Sequence, residues 1–261
     1  EISLRSFNKS YKKLGVKFDE VTGESKFFAN AKQKALEAKL LAPQFVVADE
    51  KDGTLVLKLE EFSLPNTILL RSNGTTLYIT RDIGLADYKW EKYAFDKSIT
   101  VTASEQNTHF KQLFKLLELM KRPYALKLAH VGFGLITLES GRISSRGGNL
   151  VYLDEVLDEA AEEALKQIGE RGEKYSASEK KKISQIVGVG STKFGFLRVS
   201  NEKNILFNPS KAVSFNGDTG AYLQYSAVRA NSLLEKAGGK VKPSELKTCG
   251  EAGGGLNSGG E

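Results

Sequence analysis

Three short stretches carry the residue types that do chemistry. TTLYITRDIG holds Tyr78, Thr80 and Asp82 close together, and ASEQNTHF (103–110) sets Glu105, Gln106 and Asn107 in a row. GRISSRGGN (141–149) combines two arginines, two serines and three glycines. An aromatic hydroxyl beside a carboxylate suits a cationic group, since a guanidinium fork can donate two parallel hydrogen bonds to one carboxylate. The alternative for the first stretch is structural: Asp82 caps a helix and Tyr78 packs in the core. Two polar stretches at successive strand ends make a shared pocket more credible than either alone. A basic, glycine-rich loop between apolar runs holds a phosphate or forms a solvated turn. Metal chemistry has little to work with, because Cys249 is the only cysteine and His109 and His130 are far apart in sequence. There is no P-loop and no G-x-G-x-x-G. The two glycines of VGFGL (131–135) point to a close backbone approach rather than a phosphate cradle.

The elements that position these residues follow from periodicity. Leu4, Phe7, Tyr11 and Leu14 recur at helical spacing, with Gly15 as the stop and VKF as a short strand after it. A helix is expected over 29–41 and a strand over 54–59. TILLRSNGTTLYITR predicts a hairpin, its two β-prone runs joined by a type I′ turn at Asn73-Gly74. A helix capped by Asp82 then spans about 82–92. SITVTA (98–103) is a candidate buried strand, and Phe110, Leu113, Phe114 and Leu117 line an amphipathic helix over 107–120. Strand–helix alternation from about 67 to 139 suggests βαβ units around a mostly parallel sheet. Beyond 154 the chain turns helical, with helices over 153–170, 178–188 and 218–238 and Gly238 as the last stop.

A net charge of +6, from 38 basic and 32 acidic residues, tolerates a polyanionic partner without demanding one. Lys12-Lys13, Lys121-Arg122 and Lys180 to Lys182 read as solvated helix faces more readily than as a nucleic-acid patch. The lone cysteine fits a reducing, intracellular setting, and a cytoplasmic location is expected, with an organellar one as the alternative. No apolar run reaches membrane-spanning length and the N-terminus has no signal-peptide core. The chain begins with Glu1, as expected of a processed, excised or partial chain.

Long runs in order along the chain resemble arginyl-tRNA synthetase, a class I aminoacyl-tRNA synthetase. They are LRSFNKSYKKLGVKFDEVTGES, LRSNGTTLYITRDIG, ASEQNTHFKQLFKLLELM, HVGFGLITLESGRISSRGGNLVYLDEVLDEA and VSFNGDTGAYLQYSAVRANSLLEKAG. The resemblance implies an α/β fold: the second half of a class I synthetase nucleotide-binding, Rossmann-like catalytic core, followed by a partial helical region. Residues 1–153 are then the partial core with its signature loop. Residues 154–238 are a helical connective region and the start of the anticodon-binding domain, and 239–261 a flexible Gly-rich tail. The implied activity is ATP- and Mg2+-dependent activation of arginine and its transfer to tRNA. By position, Tyr78 and Asp82 match residues that hold the arginine side chain, and Gln106 matches another residue of the arginine-binding pocket. Arg142, Ser144, Ser145 and Arg146 fall in the mobile signature loop that closes over ATP, where cations stabilise developing phosphate charge.

The chain departs from the family pattern in three places. The first class I signature, H-I-G-H, is absent, and HVGF (130–133) does not replace it. The loop has Arg142 for its first lysine and Gly147 for its second, and Gly220-Ala221-Tyr222 replaces Gly-Pro-Tyr. The expectation is therefore an arginine–tRNA ligase fragment that is inactive alone. The alternative is a catalytically dead module used for binding or as a structural subunit, with a protein partner covering the missing half of the core.

Overall fold

The computed structural model describes residues 2–139, 152–170 and 175–238. The signature-loop residues Arg142, Ser144, Ser145 and Arg146, and the tail 239–261, lie outside the described residues. The chain divides into two compact units, Glu1–Ile143 with Val199–Leu206 and Ser144–Arg198 with Phe207–Glu261.

The first unit opens with α1 (Ile2–Leu14). Gly15, at φ +67°, ends it in a Schellman cap: its N–H donates to Lys12 and that of Val16 to Tyr11. The expected apolar stripe is not a buried one, because Leu4 and Phe7 are more than half exposed. The strand expected at VKF does not form. Residues 16–23 instead run as an irregular strap, fixed by side chains rather than by a β ladder. A 3-10 turn (Glu24–Phe27) and α2 (Ala31–Leu41) follow. Ala31, Ala35 and Ala38 form a fully buried stripe along α2, which lets the helix lie close to its neighbours.

Strands β1 (Val46–Ala48), β2 (Leu55–Leu57) and β3 (Thr67–Leu70) make an antiparallel sheet in that order. The β3 hairpin departs from expectation in two ways. Its turn is not type I′, because Gly74 (φ +80°) has a positive φ and Asn73 does not. Gly74 N–H donates to Arg71 and Arg71 N–H to Thr75, the pattern of a type I turn closed by a left-handed glycine. The return arm is a single bridge, Leu70 to Thr76. Helix α3 (Tyr78–Tyr93) begins where a strand was expected. Thr80, fully buried, folds its hydroxyl back onto the carbonyl of Leu77, while Ile79, Ile83 and Ala86 face the core. Packing has overridden the β propensity of TTLYIT.

Next come β4 (Ser98–Ala103), a 3-10 turn (Ser104–Gln106), α4 (Asn107–Leu119) and β5 (Leu128–Phe133). Strands β4 and β5 pair in parallel, from Ser98 opposite Leu128 to Ala103 opposite Phe133, as a βαβ unit requires. Strand β3, by contrast, joins the antiparallel sheet. Nor is β4 buried on both faces: Ile99 and Val101 are more than half exposed. The main core joins α2, the antiparallel sheet, α3 and α4, with Leu57, Leu69, Ile83, Leu116 and Leu117 fully buried. Strand β6 (Ile136–Leu138) pairs with β7 (Ile205–Phe207), and Ile205 N–H donates to Leu135.

The second unit is helical: α5 (Leu153–Glu170), α6 (Ala177–Leu197), α7 (Pro209–Ala212) and α8 (Gly220–Lys236). Ser176 and Glu179 form a capping box at the start of α6. Helix α6 runs nine residues past its expected end, because Gly188 and Gly190 are packing residues rather than stops. A Cβ at Gly188 would lie 2.6 Å from the backbone nitrogen of Ala161 in α5. A Cβ at Gly220 would lie 2.5 Å from Ser191 Cα in α6. Thr219 caps α8 by accepting from Tyr222 N–H.

Candidate functional site

The helical period gives α3 four faces, and its function follows from them. Ile79, Ile83 and Ala86 are core. Tyr78, Asp82 and Leu85 line a cleft of about 670 Å³. Arg81, Gly84 and Tyr88 receive the strap and the turn that follows it. Asp87 looks toward α2 and the segment after α4. Asp82 therefore stands in the second turn of the helix and is not its cap; Leu77 holds that position. Tyr78 and Thr80 do not share a face, since Thr80 is fully buried and Tyr78 is 69% exposed. Both structural alternatives for the first stretch are thereby overturned. In their place, the i,i+4 spacing brings Tyr78 and Asp82 to the same wall.

Gln106 ends the 3-10 turn between β4 and α4, at the carboxyl end of a parallel strand, and lines the same cleft. Tyr78, Asp82 and Gln106 thus border one cavity. Arg142, Ser144, Ser145 and Arg146 cannot be placed relative to it, lying outside the described residues. Sequence reasoning missed His109, which accompanies Gln106 at i+3. Its Nε2 lies 2.7 Å from Asp82 Oδ2, with both side chains about one quarter exposed. The two histidines, distant in sequence, are linked in space: Phe110 meets His109 edge-on and stacks on His130 at 4.4 Å. His130 Nε2 lies 2.8 Å from Thr102 Oγ1. Burial, and secondarily His109, lowers the pKa of His130. Among the described residues, no group of three or more His, Cys, Asp or Glu could hold a metal ion.

The strap and the 3-10 turn after it supply the facing wall, with Thr22 from the first and Glu24 and Phe27 from the second. Glu20 anchors the strap by accepting from Lys92, Tyr88, Tyr93 and Thr22. The Lys92 and Tyr88 hydrogen bonds, foremost among these, hold the Glu20 carboxyl down to about 2. Lys26 sits 3.8 Å over the Tyr88 ring, and Gly84 leaves room for Phe27. Arg81 pairs with Glu24 at 2.6 Å and covers Phe28. Glu24 thus cancels the nearest guanidinium. Asp82 meets an imidazole, and Glu105 makes no ion pair among the described residues, so the cleft favours a cation. Lys89, two turns beyond Asp82, has its pKa lowered by burial, against the pull of Asp82.

Behind the cleft, Asp87 locks α3 in place. It binds Lys34 at 2.6 Å, Arg122 at 2.9 Å and the Tyr124 hydroxyl at 2.5 Å, and Glu37 completes the cluster. Arg122 is therefore an interior ion-pair residue rather than part of a solvated patch. Burial works against the charge on Lys34, but the hydrogen bonds it donates to Asp87 and Glu37 outweigh this and raise its pKa. Burial, reinforced by Asp87, pushes the Tyr124 phenol above its ordinary range.

A family profile described as "tRNA synthetases class I (R), catalytic domain" matches residues 1–208. The arginine–tRNA ligase of Clostridium acetobutylicum is 37% identical over 238 residues, 91% of this chain and 41% of that protein. That of Clostridium beijerinckii is 38% identical over 236 residues, 90% and 41% of the two chains. The arginyl-tRNA synthetase structure from Thermus thermophilus aligns with a TM-score of 0.74 and 26% identity, over 92% of this chain and 46% of that one. The Plasmodium falciparum arginyl-tRNA synthetase gives 0.75 and 25%, over 94% and 40%. The chain spans about two fifths of the length of the curated relatives it matches.

Proposed function

Because the chain belongs to the class I (R) tRNA synthetase catalytic-domain family, we propose that it is the arginine-recognising half of an arginine–tRNA ligase core and that, alone, it does not activate arginine. The observation that carries this is the convergence of Tyr78, Asp82 and Gln106 on one cleft. The Asp82 carboxylate accepts the guanidinium, the Tyr78 ring and hydroxyl flank it, and Gln106 orients it from the opposite wall. Two parallel donor–acceptor contacts to one carboxylate select a planar guanidinium over a lysine ammonium. Glu24 belongs to the same design: by binding Arg81, it keeps the chain's own guanidinium out of the site.

In the full reaction, ATP with Mg2+ supplies the adenylyl group that activates the arginine carboxylate. Asn107 Oδ1 is buried without a partner beside Gly132, and the two border a second cleft of about 320 Å³. An orphaned acceptor there fits an amino-bearing ring such as adenine. Phosphate contacts are assigned to Arg142, Ser144, Ser145 and Arg146, and Mg2+ to the phosphates themselves. Helices α5, α6 and α8 are assigned to the connective region and the start of the anticodon-binding domain, with tRNA as the partner. Family membership supports a cytoplasmic location for the whole protein. No helix among the described residues is long and apolar enough to cross a membrane.

Inactivity of the chain alone rests on two observations. The 261 residues contain no H-x-G-H, and among the described residues β4 pairs on one edge only while Ile99 and Val101 stay exposed. Parallel sheets are ordinarily covered on both faces. The half carrying the first signature, on the same polypeptide or a second one, covers this surface. Arginine- and tRNA-dependent ATP–pyrophosphate exchange tests the proposal: no turnover above background is expected, and turnover by this chain alone would refute it. Adding the corresponding first half of the Clostridium acetobutylicum relative separates two readings. Restored exchange identifies a partial enzyme. Arginine binding without exchange identifies a catalytically silent module, which Gly147 in place of the loop lysine favours.

A further inference from the structure

We propose that His109 is a positioning residue that keeps the Asp82 carboxylate aimed at the cleft and prevents it from turning onto Lys89. The proposal rests on the reading of the cleft as a guanidinium site. Asp82 and Lys89 lie on one face of α3, seven residues apart. Between them is a small cavity of about 60 Å³, lined also by Leu85, Ala86, Thr100 and Phe110. Lys89 is more than half buried yet makes no ion pair with a described carboxylate, although Asp82 acts on its charge. A half-buried ammonium beside an empty space and one carboxylate is an unmade ion pair.

The contact that prevents the pair is His109 Nε2 to Asp82 Oδ2, at 2.7 Å. As a donor, His109 takes one lone pair of Oδ2 and leaves the other, together with Oδ1, which has no described protein partner, to the two donors of a guanidinium. The ring is itself fixed. Phe110 packs against it edge-on, and Phe110 is stacked on His130, which is bound to Thr102. Elements α3, α4, β4 and β5 all contribute to holding this one rotamer. An aspartate free to rotate would divide its time between the cleft and Lys89, and ligand affinity would fall by the fraction of time lost.

The test is a double-mutant cycle on L-arginine affinity by calorimetry. His109→Leu, which has no donor, weakens binding by roughly 10-fold to 100-fold, the scale of a lost hydrogen bond to a charged group. His109→Gln, whose amide can donate, recovers most of it. The decisive arm is Lys89→Met: with the competitor gone, His109→Leu costs little affinity relative to Lys89→Met alone. An equal loss in both backgrounds overturns the proposal, because a merely structural role for His109 would not depend on Lys89. Failure of the wild-type chain to bind arginine would refute the guanidinium site separately. The imidazole nitrogen-15 spectrum then decides on His109: a fixed Nε2-protonated tautomer that is lost in Asp82→Asn supports the contact, and identical spectra overturn it.

Discussion

Replacing Asp87 with alanine removes the group on which three elements converge. Its carboxylate binds Lys34, Arg122 and the Tyr124 hydroxyl, and its side chain is only 12% exposed. Lys34 and Arg122 are 23% and 18% exposed, so water can only partly take over its role. An exposed ion pair contributes about 0.2–1 kcal/mol, whereas breaking a buried one costs about 3–5 kcal/mol. The Asp87 cluster lies between these cases, with two cations left behind and Glu37 as their remaining anion. A loss of about 2–4 kcal/mol follows, a fall in Tm of roughly 4–16 °C at about 2–4 °C per kcal/mol. The reporter is built in. Trp90 is the only tryptophan, and its ring lies 5.7 Å from Tyr124 and 5.4 Å from Phe95. Urea unfolding followed by Trp90 emission therefore reads this cluster directly. Lys115→Ala, which breaks the exposed pair with Glu118, serves as the control and should cost under about 1 kcal/mol. An Asp87→Ala loss no larger than the control would refute the view that this cluster, rather than the apolar core alone, holds α3 in register.

Gly132→Ala should destabilise by about 1–3 kcal/mol in the same urea assay, because the new methyl would come within 2.4 Å of Asn107 Oδ1 and 3.2 Å of Ser104 Cα. Gly188→Ala should lower the melting temperature seen by circular dichroism, since its methyl meets the unyielding backbone of Ala160 and Ala161. Glu20 provides a pH test. Its folded pKa of about 2 lies below the ordinary 4.5, so its contribution is complete above 4.5 and disappears as pH falls toward 2. Comparison of wild type with Glu20→Gln should give a stability difference that is constant at neutral pH and vanishes at the acid end. Carbon-13 titration of Glu20 near 4.5 would contradict the anchoring of the strap.

Much of the fold was legible where one local signal acted alone. Helix α4 and strand β4 appear where Phe110, Leu113 and Leu117 or SITVTA predict them, and Gly15 and Gly238 stop their helices with positive φ. Errors arose where tertiary packing opposed local preference. TTLYIT has a strand's composition, but burial of Ile79, Thr80 and Ile83 makes it a helix. The helix expected to end at 188 runs on to Leu197, and Gly188 is a helix crossing. The site was legible in part for a related reason. Tyr78 and Asp82 drew attention as a hydroxyl beside a carboxylate and, with Gln106, through resemblance; the structure sets all three on one cleft, with Tyr78 and Asp82 related by helical i,i+4 spacing where a strand had been expected. His109 went unread because it was weighed only as a metal ligand. Its spacing from Gln106 on the first turn of α4 was the available signal. The strap could not have been foreseen, since its anchors on Tyr88, Lys92 and Tyr93 join residues about seventy positions apart.

Calorimetric titration of this chain with L-arginine, repeated on Asp82→Asn and with L-citrulline as ligand, tests whether the Asp82 cleft is a guanidinium site. Citrulline keeps the shape of arginine and lacks its charge. The wild type should bind arginine and not citrulline, and Asp82→Asn should lose arginine binding with its melting temperature preserved. Arginine affinity retained in Asp82→Asn would contradict that assignment.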